Sequence, residues 1–418
     1  MVAGHARELE SPKPRLSFFS RLLVIVGALY VGAIPLEAYA AFSGRSYTFL
    51  LGGLVLAAWA MSTASDSLSR RVPYRFNYRE SRPLWISLVL FALWMILTTA
   101  WSPDTAISIS RLATMLGLAL LVPALARSFA LSGSDLFARL FLATSCVLAM
   151  LTVTKIDGST QVSVGDLNQN DEAFYLCIAA CWATWFLFRA KGRYQVLYLL
   201  VIVVAVVGAL GTGSRTGATV LLVVLPIVML ISSGTSQVLL KSVLWFICLS
   251  GLLLVSFLLA SSLLPARVLQ LSDSFRAGDT WSGRTRLWSG AMALRDQWLW
   301  AGEGLGYSRY FVGTYYEKNQ VLHNTYLSIA VELGIIGLIL FVAVFVSTLL
   351  VVRKSRNAGL FLVAFLPAIL FMWTLSLEYE KLVWVLPAIV AGGIALKAKP
   401  SRRGPHHHRP RSATVAHK

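Results

Sequence analysis

Residues 325–352, TYLSIAVELGIIGLILFVAVFVSTLLVV, decide the fold class of this chain. The run contains one charged side chain, Glu332, and roughly 20 apolar helical residues are enough to cross a bilayer core of about 30 Å. It therefore predicts a transmembrane helix. The same reading of the whole chain predicts about 12 such spans. The other spans are 17–40, 46–62, 84–101, 107–126, 136–154, 172–189, 194–212, 216–232, 239–263, 358–375 and 382–397.

The composition of the 418 residues excludes an ordinary water-soluble enzyme. Charged residues make up 13% of the chain, against about 25% in soluble proteins, and the mean hydropathy is +0.69. In a soluble protein the formal net charge of +18 would suggest nucleic-acid binding. In a membrane protein, the meaning of that charge depends on how the basic residues are distributed between the two sides of the bilayer.

The basic residues orient the predicted spans. If the N-terminus is cytoplasmic and the spans alternate, most of the 37 Lys and Arg residues fall in cytoplasmic segments, as the positive-inside rule requires. Topology and contact with anionic membrane lipids then explain the charge, and no nucleic-acid partner is expected. The predicted fold is an all-α polytopic membrane protein of about 12 transmembrane helices, with both termini in the cytoplasm.

The longest non-cytoplasmic connection follows the ninth predicted span. Apolar residues at helical spacing between Arg284 and Trp300 predict an amphipathic helix there, either lying on the membrane surface or packed on the roof of the bundle. The predicted segments are a cytoplasmic N-tail at 1–16, transmembrane helices one to nine at 17–263, a large periplasmic loop at 264–322, transmembrane helices ten to twelve at 323–397, and a basic cytoplasmic C-tail at 398–418.

Membrane insertion favours basic residues on the cytoplasmic side, so arginines on the other side suggest a specific role. Arg284 and Arg286 lie in the large loop, and Ser214 and Arg215 lie in GTGSRTG at 211–217. A guanidinium group matches phosphate oxygens in a bidentate way, and small residues let backbone amides approach an anion at the start of the next helix. These arginines are therefore candidate phosphate ligands, and the alternative is that they anchor the protein at the membrane interface.

His323 is the only histidine outside the two tails, and it begins the run HNTYL at 323–327. A neutral imidazole can take a proton from a sugar hydroxyl near neutral pH, although a histidine that only caps the helix is the alternative. Asn324 or Thr325 could cap the tenth span. The glycines of GEGLG at 302–306 have no strand before them, so the string predicts a tight turn rather than a dinucleotide site.

The sequence resembles the O-antigen ligase and polymerase superfamily of bacterial inner membranes. The resemblance covers roughly residues 80–380 and is carried by four motifs in the family's order. They are TAWSPD at 99–104 with Ser108 and Arg111, GSRTG at 213–217, SGRTRLW at 282–288 running on into GEGLG at 302–306, and HNTYL at 323–327 with Glu332 and Gly334.

The resemblance implies a periplasmic glycosyltransferase of the inner membrane. Its donor would be an undecaprenyl-diphosphate-linked glycan and its acceptor the lipid A-core, in an inverting, metal-independent reaction that completes lipopolysaccharide. Carried over to this chain, Arg215 and Arg284 would clamp the diphosphate, and His323 would act as the base or orient the acceptor. The substrate-binding set would be Ser214, Arg286, Asn324 and Arg111. Arg286 departs from the family pattern, in which an acidic residue is commoner at that position.

No metal or cofactor is expected, since arginines and backbone amides can hold a diphosphate and no acidic cluster suggests a magnesium site. Within the family, the alternative activity is an O-antigen or exopolysaccharide polymerase. Outside the family, the alternative is a transporter or lipid flippase. Internal repeats and polar residues at mid-membrane depth would mark a transporter, whereas here the halves differ and the polar cluster lies at the outer rim.

Overall fold

The computed structural model describes residues 16–39, 41–42, 45–68, 74–75, 78–155, 168–233, 284–316, 320–394 and 396–397. The ninth predicted span (239–263), the first third of the large loop and nearly all of both tails lie outside the described residues. The helices are α1 (Phe18–Ala33), α2 (Tyr47–Leu68), α3 (Tyr78–Thr98), α4 (Thr105–Ser132), α5 (Asp135–Thr154), α6 (Gln169–Leu187), α7 (Arg193–Gly211), α8 (Arg215–Ser233), α9 (Arg284–Ala293), α10 (Arg295–Trp298), α11 (Ser308–Tyr316), α12 (Thr325–Val352), α13 (Ala358–Thr374) and α14 (Lys381–Ile394).

A 3-10 helix at Ile34–Tyr39 continues α1, and two antiparallel pairs of very short strands lie between the helices. The pairs are β1 (Ala41–Phe42) with β2 (Arg45–Ser46), and β3 (Tyr74–Arg75) with β4 (Leu396–Lys397). The second pair brings the start of the basic C-tail to the residues that precede α3.

Eight of the described helices are long and apolar enough to cross a membrane. They are α1 to α5, α7, α8 and α12, and α13 and α14 are apolar but shorter. Helix α6 carries Asp171 and Glu172 in its first turn, yet every residue at 172–184 is buried inside the bundle. The chain is thus a multi-pass membrane protein, which confirms the predicted all-α polytopic class.

Helix α6 is the centre of one half of the bundle, where it packs against α5, α7, α8 and α13. In the other half α14, buried along its whole length, packs against α4, and α3 packs against α12. Because apolar side chains gain little from meeting each other in lipid, these contacts depend on close packing and on the small polar groups described below.

Helix α4 extends well beyond the predicted span 107–126. Asp104 caps its start by accepting a hydrogen bond from the Ile107 amide at 3.0 Å. At the other end Arg127 forms an ion pair with Asp66 of α2 and also donates to Ser62 at 3.3 Å. The pairing inside the bundle lets the helix continue through a charged residue at which a hydropathy reading stops.

The predicted amphipathic helix at 284–300 is two short helices, α9 and α10, that break at Leu294. The indole of Trp298 donates to the carbonyl oxygen of Ala291 at 2.9 Å, which takes the acceptor that a continuing helix would have used. Their apolar side chains pack with Leu322 and Val331, so these helices lie on the roof of the bundle.

Candidate active site

His323 sits immediately before α12 in a left-handed backbone conformation, with a φ of 51°. The side-chain oxygen of Asn324 accepts from the Leu327 amide at 3.0 Å and caps the helix. Thr325 donates to the Leu375 carbonyl at 2.7 Å and accepts from the Leu377 amide at 2.8 Å. The start of α12 is therefore tied to the connection between α13 and α14, and the backbone at His323 is held in one conformation.

Arg284 opens α9 beside His323. Burial, and to a smaller extent the positive charge of Arg284, lower the pKa of His323 to about 4. Helix α9 is held in place because the indole of Trp288 donates to the carbonyl of Leu322 at 2.9 Å, one residue before the histidine. The imidazole is thus neutral at pH 7, and the charge of Arg284 is close enough to affect it. Arg286, two residues further on, is exposed.

The run GEGLG at 302–306 packs into a break in α12. Gly334 has a φ of 70° and a ψ of −177°, which interrupts the helix. Around the break, the Gly304 amide donates to the Glu332 carbonyl at 2.9 Å and the Ile335 amide donates to the Leu299 carbonyl at 2.7 Å. A Cβ atom on Gly302 would lie 2.4 Å from the Glu332 carbonyl oxygen, so only glycine fits. The string is a tight turn, as its sequence predicts.

The TAWSPD segment and the first turn of α4, which follows it, contact the same turn. The indole of Trp101 donates to the Gly302 carbonyl at 3.1 Å, and Ser108 donates to the Leu305 carbonyl at 3.0 Å. Two motifs that are about 200 residues apart in the sequence therefore form one wall of the site.

Glu332 joins three segments of this wall. Its carboxylate accepts from Ser308 at 2.7 Å and from the hydroxyl of Tyr379 at 2.8 Å. The guanidinium carbon of Arg111, which is itself exposed, lies 5.0 Å from the centre of the Tyr379 ring. This contact brings Arg111 to the same cluster, while its exposure leaves its charge accessible from outside the bundle.

Ser214 and Arg215 lie at the start of α8, against α6. Ser214 caps α8 by accepting from the Gly217 amide at 3.2 Å, and its hydroxyl donates to the side-chain oxygen of Asn170 at 2.8 Å. Arg215 is the first residue of α8 and is half-buried. The N-terminal amides of α8 and Arg215 are therefore at the same end of the helix, where helix geometry favours an anion.

Helix α6 connects the Ser214–Asn170 contact to the Glu332 cluster. One turn beyond Asn170 on α6, the Tyr175 hydroxyl donates to Glu380 at 2.6 Å. Glu380 follows Tyr379, which binds Glu332. The starts of α4, α6, α8 and α12 and the connection between α13 and α14 therefore meet at one end of the bundle, the His323 end.

Sequence reasoning missed the segment EYE at 378–380. Burial raises the pKa of Glu378 well above its usual range, and the nearby Glu332 carboxylate adds to the effect. Two glutamates and a tyrosine between two apolar helices were a signal that could have been noticed. Asn170, left without a role from sequence, is the partner of Ser214.

Among the described residues, no three His, Cys, Asp or Glu side chains are grouped so that they could hold a metal ion.

Residues 200–342, about a third of the chain, match the family model described as O-antigen ligase. The matched region includes Ser214, Arg215, Arg284, Arg286, His323 and Asn324, and it ends before Tyr379. No curated protein matches the sequence. The family indicates a glycosyltransferase-like enzyme of the ligase or polymerase type, with a polyprenyl-linked glycan substrate and a lipid acceptor. Over residues 200–342 the chain is therefore similar to the O-antigen ligase superfamily, and its membrane-spanning helices are consistent with that similarity.

Proposed function

We propose that the protein is an O-antigen ligase of the bacterial inner membrane, which transfers a glycan from undecaprenyl diphosphate to the lipid A-core at the periplasmic face. The observation that supports the proposal is the arrangement of His323 and Arg284: a largely buried imidazole whose pKa is about 4, and an arginine at the start of a helix that Trp288 ties to Leu322, the residue before the histidine. A transfer from a lipid diphosphate requires both a base and a phosphate ligand at the reacting centre.

In the proposed reaction, neutral His323 accepts the proton of the acceptor sugar hydroxyl. The hydroxyl oxygen then attacks the anomeric carbon of the glycan with inversion, and the bond from that carbon to the diphosphate oxygen breaks. The electron pair stays on the diphosphate, where Arg284 and Arg215 stabilise the developing charge. Ser214, Arg286, Asn324 and Arg111 are proposed to bind substrate around this centre. Since guanidinium groups supply the charge, the proposed reaction needs no metal ion.

Only part of the Asn324 side chain can contact a substrate in this proposal. Its side-chain oxygen is already used to cap α12, so only its amide nitrogen can donate to a substrate oxygen. Arg286 and Arg111 are both exposed and suit the glycan or the outer phosphate rather than the reacting bond.

A deletion strain tests the proposed activity. Surface lipopolysaccharide and lipid-linked glycan are separated and their chain lengths compared with those of the parent strain. The ligase predicts that long chains disappear from lipid A and accumulate on undecaprenyl diphosphate, and that the intact gene restores them. A lipid-linked pool that contains only single repeat units would instead identify an O-antigen polymerase. No change in either pool would reject both activities and leave exopolysaccharide polymerisation or transport.

The proposed metal independence has its own test. Transfer by the purified protein is measured with a chelator and after addition of magnesium. The proposal expects equal rates, whereas a loss of activity that magnesium restores would contradict it.

A further inference from the structure

A concave groove of about 550 Å³ lies between α3 and α12, away from the candidate active site. Its apolar side chains include Ile86, Leu90, Val346 and Leu350. Two cations, Arg79 and Arg82, line it at the first turns of α3. Because α3 and α12 run in opposite directions, this charged end lies near the C-terminal end of α12, opposite to His323.

The floor of the groove is apolar in effect. Ser87 of α3 and Ser347 of α12 hydrogen bond to each other at 2.9 Å. Each hydroxyl also lies 2.9 Å from a carbonyl oxygen of its own helix, that of Leu84 or Val344. Since these polar groups are satisfied by the protein, the floor favours hydrocarbon rather than water.

The length of the groove matches one lipid leaflet. From Leu340 to Leu350 the lining residues extend over about 15 Å of helix α12. That is half of a bilayer core of about 30 Å. The groove therefore has room for the acyl chain of a lipid from one leaflet, lying parallel to the two helices.

The charged end fits a phosphate group. Arg79 and Arg82 are three residues apart, so they lie on the same face of α3, whereas Glu80 lies on another face. Both arginines are exposed, and a guanidinium group can bind phosphate oxygens in a bidentate way. Arg353 and Lys354, exposed residues just after α12, add positive charge at the same end.

We propose that this groove is a binding site for an anionic phospholipid of the leaflet that is predicted to be cytoplasmic. The phosphate group binds to Arg79 and Arg82, and one acyl chain lies between α3 and α12. The lipid clamps the start of α3 against α12, the helix that carries His323 at its far end. This lipid is distinct from the glycan donor, because the diphosphate of the donor belongs at the His323 end.

Native mass spectrometry of the full-length protein in detergent tests the proposal, with phosphatidylglycerol and phosphatidylcholine as probes. The wild-type protein is expected to bind phosphatidylglycerol about tenfold or more tightly than phosphatidylcholine, because the two arginines attract its net negative charge, whereas the quaternary ammonium group of phosphatidylcholine offsets its phosphate. In Arg79→Gln/Arg82→Gln this preference disappears. Ala343→Trp fills the groove without a change of charge and should abolish binding of both lipids. If the tryptophan variant does not fold, Ala343→Leu, a smaller substitution, should weaken the binding of both lipids.

The matched control is Lys191→Gln/Arg193→Gln. It removes two exposed positive charges that are predicted on the same side of the membrane, at the start of α7, and its lipid binding should equal that of the wild type. Equal losses in the control and in the α3 variant would overturn the proposal in favour of diffuse attraction. Binding that survives the groove-filling substitutions would also overturn it, as would a protein dimer that dissociates on those substitutions and binds no lipid.

Discussion

His323 combines a strained backbone with a buried imidazole, and the two features can be separated by substitution. A left-handed conformation costs most L residues roughly 1–2 kcal/mol, and it persists here because Asn324 caps α12 and Thr325 is bound to residues 375 and 377. Strain held at one residue of a candidate site is typical of functional positions. In this conformation the side chain of His323 extends from the start of the helix, while the side chain of Asn324 serves as the cap.

Asparagine adopts the left-handed conformation readily, so His323→Asn should fold normally. We expect its thermal unfolding in detergent to match that of the wild type, while glycan transfer falls by about 100-fold or more because the base is lost. His323→Val serves as the control for strain, since a β-branched residue should lower stability at this φ. Full activity in His323→Asn would remove His323 from the mechanism.

The pH dependence of transfer follows from the lowered pKa of His323. A base must be neutral to accept a proton, and a pKa of about 4 keeps the imidazole neutral well below pH 6.5. We therefore expect kcat/KM to remain constant as the pH falls from 7 to about 5 and to decline only near pH 4. An acid limb near pH 6.5 that is absent from His323→Asn would show that the histidine is exposed rather than buried.

The proposed phosphate contacts of Arg215 and Arg284 depend on the fork of the guanidinium group. Arg215→Ala or Arg284→Ala should abolish transfer with normal protein levels in the membrane. Arg215→Lys and Arg284→Lys retain the charge but lose bidentate geometry, so about a tenfold or greater loss of kcat/KM is expected from one charged hydrogen bond. Normal product formation by Arg215→Lys would contradict a bidentate clamp.

At the scale of elements, the break in α12 organises the roof of the site. The helix is interrupted at Gly334, and its backbone groups there form hydrogen bonds with the turn that begins at residue 299. Trp101, before α4, and Ser108, in α4, donate hydrogen bonds to the same turn. A continuous helix would have satisfied the same backbone groups internally and left the turn without partners. The break is therefore what brings the segments of three of the four motifs together, whereas GSRTG at 213–217 contacts α6 instead.

Gly334→Ala tests the role of the break. An added Cβ would lie 2.2 Å from the carbonyl oxygen of Trp300, and the combination of a φ of 70° with a ψ of −177° disfavours every residue except glycine. We expect a loss of at least about 2 kcal/mol of stability and of transfer activity. Gly53→Ala on α2 is the control: no atom lies within 4 Å of its added Cβ, so stability should be unchanged or slightly raised. Equal effects of the two substitutions would contradict this account.

For the whole molecule, one ion pair connects the first and last described helices at the His323 end. Lys381, which begins α14, lies 2.7 Å from a carboxylate oxygen of Glu37 in the 3-10 helix after α1. The two side chains are only 20% and 18% exposed, and Thr48 donates to the same carboxylate at 2.8 Å. Such a pair holds together residues that are far apart in sequence, at the end of α1 and the start of α14.

Lys381→Met should leave Glu37 without its main partner. Because breaking a largely buried pair is costly, we expect a loss of about 3 kcal/mol, measured as a lower thermal unfolding temperature in detergent. Asp296→Asn removes the exposed pair between Arg295 and Asp296, whose side chains are 62% and 94% exposed, and should change stability by less than about 1 kcal/mol. Comparable shifts in both variants would argue against a special role for the Glu37 pair.

Much of the fold could be predicted from sequence because hydropathy and charge act locally and additively along the chain. The positions of most helices, the turn at 302–306 and a cap at the start of α12 follow from such patterns. Two side chains caused the differences between the predicted and the observed helices. The predicted span in α4 ended before the charged Arg127, and the apolar spacing at 284–300 did not indicate the break that depends on Trp298. In each case a single side chain found a partner that local pattern does not reveal.

The sequence by itself determined a helical multi-pass membrane protein, its family motifs and the arginine and histidine candidates. Only the tertiary structure decided which polar groups meet. Glu332 binds residues 24 and 47 positions away, Ser214 binds Asn170, and Trp101 contacts a turn about 200 residues later. The physical reason is that a buried polar group must find a hydrogen-bonding partner, and helix packing, not sequence distance, determines which partner is within reach.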